Sequence, residues 1–234
     1  MKLGIIGAME LEVETLRAAL ERVKMKKVAG MDFYTGMLNG AEVIIVRSGI
    51  GKVNAALCVQ ILADRFGVTH VVNTGIAGSL CADLDIGDLV ISSDAIYHDM
   101  DVEIFGYAPG QVPGTKQAAF TADRQMAEIA LTLCKKVDLK ARIGRIVSGD
   151  QFISSKTVKE RILSTFGGCC CEMEGAAIAH AATVNGLPFI IIRAISDKAD
   201  DSAKMDYPTF ERTAAQNSAR LVAAFAAVLQ EVVR

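Results

Sequence analysis

Two hydrophobic patterns alternate along the chain, and together they predict a fold in which helices cover a buried sheet. Unbroken apolar stretches such as residues 3–6 and 189–192 are typical of strands that helices cover on both faces. Between these stretches, apolar residues recur every three or four positions, which is the spacing of one helix face. The predicted strands are residues 2–7, 41–48, 70–74, 87–97, 141–148, 169–173 and 188–195. The predicted helices are residues 10–24, 52–66, 123–136, 155–165, 174–185 and approximately 208–233.

Glycine and proline define several of the predicted boundaries. Gly67 ends the second helix, and Gly75 and Gly78 stop the strand that begins at residue 70. Pro208 is expected in the first turn of the last helix, with Asp206 as its cap. No linker, internal repeat or low-complexity tract interrupts the pattern. Residues 1–234 are therefore expected to form a single α/β domain with three α/β/α layers, in which the sheet lies between two layers of helices.

The composition narrows the functional classes without identifying one. Apolar residues make up 51% of the 234 positions and charged residues 22%, which supports a large core and argues against intrinsic disorder. The formal charge of −2, the 6% aromatic content and the absence of Trp argue against a nucleic-acid partner. The longest apolar run, residues 221–229, is too short to cross a bilayer, and two early glutamates precede any signal-peptide core. A cytoplasmic protein with reduced cysteines and neither a membrane nor a nucleic-acid partner is expected.

In a sheet covered on both faces, ligands usually bind beyond the carboxyl ends of the strands. Glu12 follows the first strand and lies in the first turn of the first predicted helix. On a helical projection the apolar stripe lies on the same side as Glu12, and it consists of Met9, Val13, Leu16, Leu20 and Val23. Glu12 is either an ordinary acid favoured by the helix dipole or a partly buried carboxylate that acts on water.

Two further strand ends carry acids. Glu172 and Glu174 stand where a strand passes into a helix, and Asp197 follows the most hydrophobic strand. Burial disfavours the charged form of a carboxyl group, so Asp197 is a candidate for a raised pKa, with Arg193 and Ser196 able to oppose that shift. The alternatives are dipole-favoured acids at residues 172 and 174 and a turn or cap aspartate at residue 197.

Other segments give no complete motif. Residues 48–53 resemble a phosphate-binding loop, but Val46 and Val53 stand where that loop requires Gly and Ser or Thr. Residues 98–101 could contribute metal ligands, yet no second cluster has a suitable spacing, which favours a loop. Residues 100–120 form an irregular segment with several apolar side chains. Such a segment either folds over a site, packs on a partner or covers a small core of its own.

Seven segments, taken in their joint order and spacing, identify a family. They are residues 4–12, 48–53, 73–75, 97–99, 147–153, 172–174 and 193–197. With them, essentially the whole chain resembles the 5′-methylthioadenosine/S-adenosylhomocysteine nucleosidases, within the wider purine nucleoside phosphorylase group. The resemblance implies a twisted mixed sheet of the nucleoside phosphorylase/hydrolase type, a homodimer, no metal and no organic cofactor. The implied reaction is hydrolysis of the bond between adenine and a 5′-thio-substituted ribose, with 5′-deoxyadenosine as an expected further substrate.

The resemblance also implies how individual side chains act. Asp197 would protonate an imidazole-ring nitrogen of adenine with support from Ser196, and Glu12 would orient and deprotonate the water. Glu174 would hold the ribose hydroxyls, and Arg193 would steady the water and the carboxylates. The other residues implied to contact the nucleoside are Met9, Ile50, Ala77, Gly78, Phe152, Ile153 and Met173. The residues implied to reach the neighbouring subunit's thioalkyl pocket are Val102, Phe105, Tyr107 and Pro113.

One turn departs from the family pattern, and several functional alternatives stay open. Residues 76–79 are Ile-Ala-Gly-Ser where many members have Ser-Ala-Gly-Gly, so a polar contact near Asp197 is either missing or supplied by Ser79. The runner-up function is a nucleoside phosphorylase of the same fold. Further alternatives are a nucleoside-binding protein without catalysis and a metal enzyme that uses His98 and Asp99. The preferred 5′-substituent stays open, and a futalosine-type nucleoside is among the candidates.

Overall fold

Within residues 1–232, which the computed structural model describes, ten strands form one mixed sheet. The strands are β1 (Leu3–Gly7), β2 (Glu21–Val28), β3 (Met31–Leu38), β4 (Ala41–Arg47), β5 (His70–Ser79), β6 (Leu89–Tyr97), β7 (Ala119–Thr121), β8 (Ala141–Ser148), β9 (Cys170–Glu172) and β10 (Phe189–Asp197). The α-helices are α1 (Glu10–Ala18), α2 (Lys52–Ile61), α3 (Arg124–Lys136), α4 (Lys156–Phe166), α5 (Gly175–Val184) and α6 (Ala203–Val232). None of the helices in this part of the chain is both long enough and apolar enough to cross a membrane.

The long strand β5 lets part of the sheet close on itself. β5 pairs in parallel with β1 and β10, and its last residues pair antiparallel with β9. β10 pairs with β6, β6 with β8, and β8 with β9, so these strands and β5 form a ring. β1, β4, β3 and β2 extend the sheet outward from the first half of β5. The ring brings the carboxyl ends of β5, β9 and β10 close to one another.

Two apolar cores on opposite faces of the sheet explain its two layers of helices. On one face, α1, α3 and α6 pack on the strands through buried residues such as Leu16, Ala130 and Phe225. On the other face, α2 and α5 pack through Val59 and Ala179. Burial of apolar surface on both faces is the main driving force for this arrangement. The predicted three-layer α/β/α fold with a mixed sheet is confirmed.

The segment that follows α1 differs most from the prediction. α1 ends at Ala18, and residues 21–38 form the β2–β3 hairpin instead of continuing the helix. β2 lies at the edge of the sheet and nearly all its side chains are exposed, so no hydrophobic period marks it as a strand. Val23, predicted on the same helical stripe as Glu12, lies in β2 with 47% of its surface exposed.

β5 is longer than predicted. It continues through Gly75 and Gly78 to Ser79, because the backbone of a strand with partners on both edges stays hydrogen-bonded whatever side chains it carries. A glycine that would end an isolated strand is therefore accommodated in the centre of this sheet. α2 continues past Ile61 as a π-helical turn over Leu62–Phe66, which completes the predicted helix 52–66. Apart from the hairpin, β5 and the start of α6, the other ends of the predicted elements differ from the observed ends by no more than two residues.

The last helix also begins earlier than predicted. α6 starts at Ala203, so Pro208 lies inside the helix and Asp206 does not cap it. The predicted end at Val233 lies outside the described residues. In the segment expected to be irregular, a 3₁₀ turn covers Glu103–Phe105, and the end of the segment joins β7.

Candidate active site

A cavity opens beyond the carboxyl ends of β1, β5 and β10 and encloses about 470 Å³, including its open mouth. The loops after β1, β4, β8 and β9 and the first turns of α6 complete its walls. The lining residues are Ala8, Met9, Glu12, Ile50, Ile76, Ala77, Gly78, Phe152, Cys171, Glu172, Met173, Glu174, Ser196, Asp197 and Tyr207. Carboxyl groups from distant parts of the sequence therefore share one space.

Glu12 lies in the first turn of α1, and its carboxylate turns back over the start of the helix. Oε2 accepts hydrogen bonds from the backbone N–H groups of Ala8 (2.7 Å) and Met9 (3.0 Å), and Oε1 accepts one from Ile76 (3.2 Å). The bond to Met9 follows the capping-box pattern, in which the third helical residue bonds the cap. Burial raises the pKa of Glu12, while Arg193 and the backbone amides oppose the rise. Since each carboxylate oxygen can accept two hydrogen bonds, Oε1 retains a lone pair for a water molecule.

Arg193 is the positive centre of a buried cluster behind the cavity wall, and its side chain is 1% exposed. Nη2 donates to the carboxylate of Glu172, to Asn73 Oδ1 at 2.6 Å and to Glu174 Oε2 at 3.4 Å. Burial alone would lower the pKa of Arg193, but the carboxylates of Glu172, Glu174 and Glu12 raise it. Removing one partner from such a buried ion pair leaves an uncompensated charge, which typically costs ~3–5 kcal/mol of stability.

The end of β9 and the start of α5 hold the two neighbouring glutamates. Glu172 accepts hydrogen bonds from the backbone N–H groups of Glu174 (3.1 Å) and Gly175 (2.8 Å), which fixes the start of α5. Glu174 is the N-cap residue of that helix, and its Oε1 accepts the Gly51 N–H at 2.9 Å. Burial, and then the charge of Glu172, raise the pKa of Glu174, whereas Arg193 and the Gly51 N–H oppose the rise.

Gly75 makes the close approach of these charged groups possible. It lies in β5 directly beside Arg193 in β10. A β-carbon at position 75 would overlap the Arg193 guanidinium and would lie 2.6 Å from Glu12 Oε1. Only a residue without a side chain fits between the arginine and the glutamate.

Asp197 ends β10 and closes the opposite side of the cavity. Oδ1 accepts the backbone N–H of Ala199 at 2.8 Å, and Oδ2 accepts the hydroxyl of Ser196 at 2.9 Å. The Ser196 hydroxyl also lies 3.4 Å from the carbonyl oxygen of Ala77, so its single proton has two acceptors. Burial raises the pKa of Asp197 above its ordinary value, although the Ala199 N–H and the Ser196 hydroxyl act in the opposite direction.

Apolar side chains form the mouth of the cavity. Phe152 and Ile50 are about half exposed there. The ring of Phe152 meets the ring of Tyr207 edge-on at 5.4 Å, and the Tyr207 hydroxyl donates to Met9 Sδ at 3.4 Å. Apolar walls with a few convergent polar groups are typical of sites for small organic ligands.

The structure brings together most of the residues that the resemblance implies for the nucleoside. Those that line the cavity are Met9, Glu12, Ile50, Ala77, Gly78, Phe152, Met173, Glu174, Ser196 and Asp197. Arg193 lies behind the wall and reaches the site through the glutamates. Ile153, whose backbone is implied to contact adenine, is not among the lining residues, and its side chain belongs to a small apolar core that includes Leu80 and Ile162.

The irregular segment lies away from the cavity of its own chain. Val102 and Tyr107 are half-buried, and Phe105 and Pro113 are exposed. The most exposed apolar side chains of this segment are Ile104, at 88%, and Phe105, at 77%. Exposed apolar side chains that cluster in one segment are typical of a surface that contacts a partner.

Tyr207 is the main lining residue that sequence interpretation missed. The prediction placed it before the last helix, whereas α6 begins at Ala203 and already includes it. The direction of a helical side chain depends on where the helix begins, so no local signal was available for Tyr207. Glu172 was recognised as one of two paired acids but not as a lining residue. Ile76 also lines the cavity, together with Ala8 and Cys171.

Three polar contacts bear on alternatives that the sequence left open. Arg193 bonds glutamates and not Asp197, because the two residues stand four positions apart along β10, a distance of roughly 13 Å in an extended strand. Ser79 donates to a backbone carbonyl two residues further on (2.8 Å), and no hydrogen bond joins it to Asp197. Asp99 pairs with Lys52 Nζ at 2.6 Å. Within residues 1–232, no group of three or more His, Cys, Asp or Glu side chains is arranged to hold a metal.

Comparisons with known proteins relate the chain to one superfamily and to solved structures of the same fold. The family model of the phosphorylase superfamily matches residues 2–227. The chain is 45% identical over 232 residues, 98% of each chain, to the 5′-methylthioadenosine/S-adenosylhomocysteine nucleosidase of Geobacillus thermodenitrificans. Among solved structures, it is similar to the Colwellia psychrerythraea nucleosidase in complex with adenine, with 42% identity, a TM-score of 0.94 and coverage of 97% and 94%. It is also similar to the Neisseria meningitidis nucleosidase in complex with methylthio-immucillin-A, with 40% identity, a TM-score of 0.94 and coverage of 97% and 99%.

Proposed function

Because this chain belongs to the phosphorylase superfamily and, within it, to the 5′-methylthioadenosine/S-adenosylhomocysteine nucleosidases, we propose that it hydrolyses the N-glycosidic bond of both nucleosides in that family name. The products are adenine and the 5′-substituted ribose. One observation carries the proposal: Glu12, Glu174 and Asp197 line one cavity, and burial raises the pKa of Asp197.

Asp197 is the general acid of the proposed reaction. The bond to the sugar breaks more easily when an imidazole-ring nitrogen of the purine is protonated, and a positioned acid contributes ~10²–10⁴-fold to the rate. A raised pKa keeps a proton on Asp197 closer to neutral pH. While Asp197 is protonated, the Ser196 hydroxyl can donate to Ala77. Once Asp197 ionises, that hydroxyl can donate to the new carboxylate, which stabilises it as the proton leaves.

Glu12 is the base, and Glu174 holds the sugar. Backbone N–H groups fix the carboxylate of Glu12, so its free lone pair has a defined direction toward a water. Glu174 accepts the ribose hydroxyls from its position at the start of α5. As the bond to the purine lengthens, the sugar becomes positively charged, and carboxylates stabilise this transition state more than the neutral substrate.

The charges around the sugar site favour water over phosphate as the nucleophile. A phosphate dianion beside Glu12 and Glu174 would meet like charges, each pair costing on the order of 4 kcal/mol at 4 Å and an effective dielectric of ~20. Arg193 is already bonded to Glu172 and Glu174. Arg47, the other candidate for an anion clamp, is exposed. Hydrolysis therefore needs fewer rearrangements than phosphorolysis.

The proposed active form is a homodimer. The exposed apolar residues of the 102–113 segment, Phe105 above all, would close the thioalkyl end of the neighbouring subunit's cavity. Val53 (71% exposed) and Leu57 (49% exposed) on α2 add to the apolar surface beside Ile50. An apolar thioalkyl end accepts a methylthio, a homocysteinyl or a 5′-deoxy substituent, so 5′-deoxyadenosine is a proposed third substrate.

The test is adenine release from 5′-methylthioadenosine in phosphate-free buffer. We expect release that added phosphate does not change. Asp197→Asn should keep adenine binding and lower kcat by ~10²–10⁴-fold. Asp201→Asn, at an exposed position in the same segment, is the matched control and should behave as wild type.

Other results would identify a different function. Release that requires phosphate would make the protein a phosphorylase, and tight nucleoside binding without release would make it a binding protein. Faster cleavage of futalosine than of 5′-methylthioadenosine would show that a futalosine-type nucleoside is the preferred substrate, and the reaction would still be hydrolysis of an N-glycosidic bond.

A further inference from the structure

We propose that Lys52, Asp99 and Asp150 form a clamp that positions Glu174 and Phe152, and the inference rests on the proposed hydrolysis. None of the three clamp residues lines the cavity, so each acts through a neighbouring residue. Asp99 and Asp150 lie in the loops after β6 and β8, and Lys52 is the first residue of α2, directly after the loop that follows β4. The loops after β4 and β8 carry Ile50 and Phe152 of the cavity wall, so the relative position of these parts of the site depends on what joins the two loops.

An interlocked set of polar contacts joins the three loops. Asp99 Oδ2 accepts the Lys52 ammonium at 2.6 Å and the backbone N–H of Asp150 at 2.9 Å. Asp150 Oδ1 accepts the backbone N–H of Lys52 at 2.9 Å, and so caps α2 from another loop. The Lys52 ammonium also lies 5.4 Å from the centre of the Tyr97 ring.

The clamp is more shielded from water than a surface ion pair. The side chains of Lys52 and Asp99 are 24% and 17% exposed, compared with 72% and 65% for the pair Lys156–Glu160. Exposed pairs contribute little because water screens them and the side chains are mobile. Although burial opposes the shift, the ammonium of Lys52 lowers the pKa of Asp99, which keeps the pair charged.

Two of the clamp residues, Lys52 and Asp150, lie close in sequence to residues that form the site. Gly51, next to Lys52, donates its N–H to Glu174 Oε1 at 2.9 Å. Gly51 has a φ of +96°, and a β-carbon there would lie 3.1 Å from Asp150 Oδ1. Both the backbone conformation and the close approach of Asp150 therefore favour glycine at this position. Asp150 stands two residues before Phe152 at the mouth of the cavity. Loss of the clamp should therefore release the Gly51 N–H from Glu174 and loosen Phe152.

Glu174 supplies a readout that separates positioning from simple electrostatics. The charged groups that face it are Glu172, Arg193 and Glu12, and the Gly51 N–H is the hydrogen bond that lowers its pKa. Asp99→Asn removes a negative charge, which acting through space would lower the pKa of Glu174. If the substitution instead loosens Gly51, the pKa of Glu174 rises. The two effects have opposite signs.

The experiment measures the pH profile of kcat/KM for 5′-methylthioadenosine in wild type, Asp99→Asn, Lys52→Met and Lys52→Arg. Since Glu12 and Glu174 both work as carboxylates, the acid limb of the profile reflects the pKa values of both, and loss of the Gly51 N–H enters it through Glu174. We expect this limb to move up by about one pH unit in Asp99→Asn and Lys52→Met, the size expected when one hydrogen bond to a carboxylate is lost. KM should rise about threefold to tenfold with a smaller change in kcat, and Lys52→Arg should restore part of both.

Arg145→Met is the matched control. Arg145 and Asp94 form a half-buried ion pair (34% and 22% exposed) between β8 and β6, away from the cavity. We expect the acid limb of the kcat/KM profile of Arg145→Met to lie at the same pH as in wild type. The clamp proposal is overturned if the acid limb of Asp99→Asn stays in place or moves to lower pH. It is also overturned if Arg145→Met shifts the limb by the same amount as Asp99→Asn. If wild type itself releases no adenine, the proposed function fails instead, so the two failures are distinct.

Discussion

Glu12 and Asp197 are both buried acids, but they receive different hydrogen bonds. Glu12 accepts three backbone N–H groups and lies near Arg193, and both favour its carboxylate. Asp197 accepts one backbone N–H and a hydroxyl that has a second acceptor available. The environment therefore suits Glu12 to accept a proton from water and Asp197 to give one to the purine.

The hydroxyl of Ser196 gives a prediction at this scale. The Ser196 hydroxyl opposes the rise in the pKa of Asp197 that burial causes, so Ser196→Ala should raise the pKa of Asp197 above its wild-type value. A general acid works only while protonated, so activity falls as pH rises through its pKa, and a higher pKa moves that fall to higher pH. We expect the alkaline limb of the kcat profile with saturating 5′-methylthioadenosine to move upward.

Ser164→Ala is the control for this prediction, since the Ser164 hydroxyl bonds the backbone of α4 far from the cavity. Its profile should match that of wild type. A limb that moves to lower pH in Ser196→Ala would show that the hydroxyl does not stabilise the carboxylate of Asp197.

β5 is the element that organises the site, and it does so largely through its backbone. The N–H of Ile76 holds Glu12, and the carbonyl of Ala77 offers Ser196 its second acceptor. Gly75 leaves the space that Arg193 and Glu12 share. A strand paired on both edges is rigid, so these groups stay in place without side-chain contributions of their own.

Gly75→Ala tests this use of the strand. The added β-carbon would overlap the Arg193 guanidinium, and overpacking of a filled interior typically costs ~1–3 kcal/mol. We expect a Tm several degrees lower, because ~1 kcal/mol shifts Tm by about 2–4 °C in a chain of this size. Activity should fall more than the folded fraction does, since the displaced arginine moves Glu172 and Glu174 with it. A variant with wild-type Tm and kcat would show that the space beside Gly75 is not needed.

At the scale of the whole molecule, ring closure joins site residues that are far apart in sequence. Glu172 from β9, Gly75 from β5 and Arg193 from β10 meet because these strands belong to one closed ring. An open sheet in the same strand order would leave β10 beside β6 alone and would remove its pairing with β5. The site therefore depends on long-range pairing between strands.

The proposed homodimer leads to a complementation prediction. Phe105→Ala should raise KM for 5′-methylthioadenosine, because the residue would serve the neighbouring cavity. When Phe105→Ala and Asp197→Asn chains are co-produced, each mixed dimer contains one cavity with both residues intact. We expect activity at low substrate concentration to exceed the sum of the two separate variants.

The control replaces the second chain with the double variant Phe105→Ala/Asp197→Asn, which gives mixed dimers without an intact cavity. No gain should then appear. Absence of a gain with the first pair as well, although mixed dimers are isolated, would show that Phe105 does not act across the interface.

The sequence by itself determined the layered α/β fold, most of its strands and helices and the strand ends at which the acids lie. It could do so because burial produces local sequence patterns. The unbroken apolar residues of β10 and the amphipathic period of α3 indicate a strand and a helix even when the segments that pack against them are not known. The segments that resemble the family then indicated most of the residues that line the cavity.

Only the tertiary structure decided the features that depend on contacts between distant segments. The exposed residues of β2 carry no hydrophobic period, so pairing with β3 alone makes them a strand. The side chain of Tyr207 enters the site because α6 begins before Pro208, and Arg193 bonds Glu172 because the ring brings β9 to β10. Such contacts depend on where chain segments meet in space, which local patterns of apolar and polar residues do not encode.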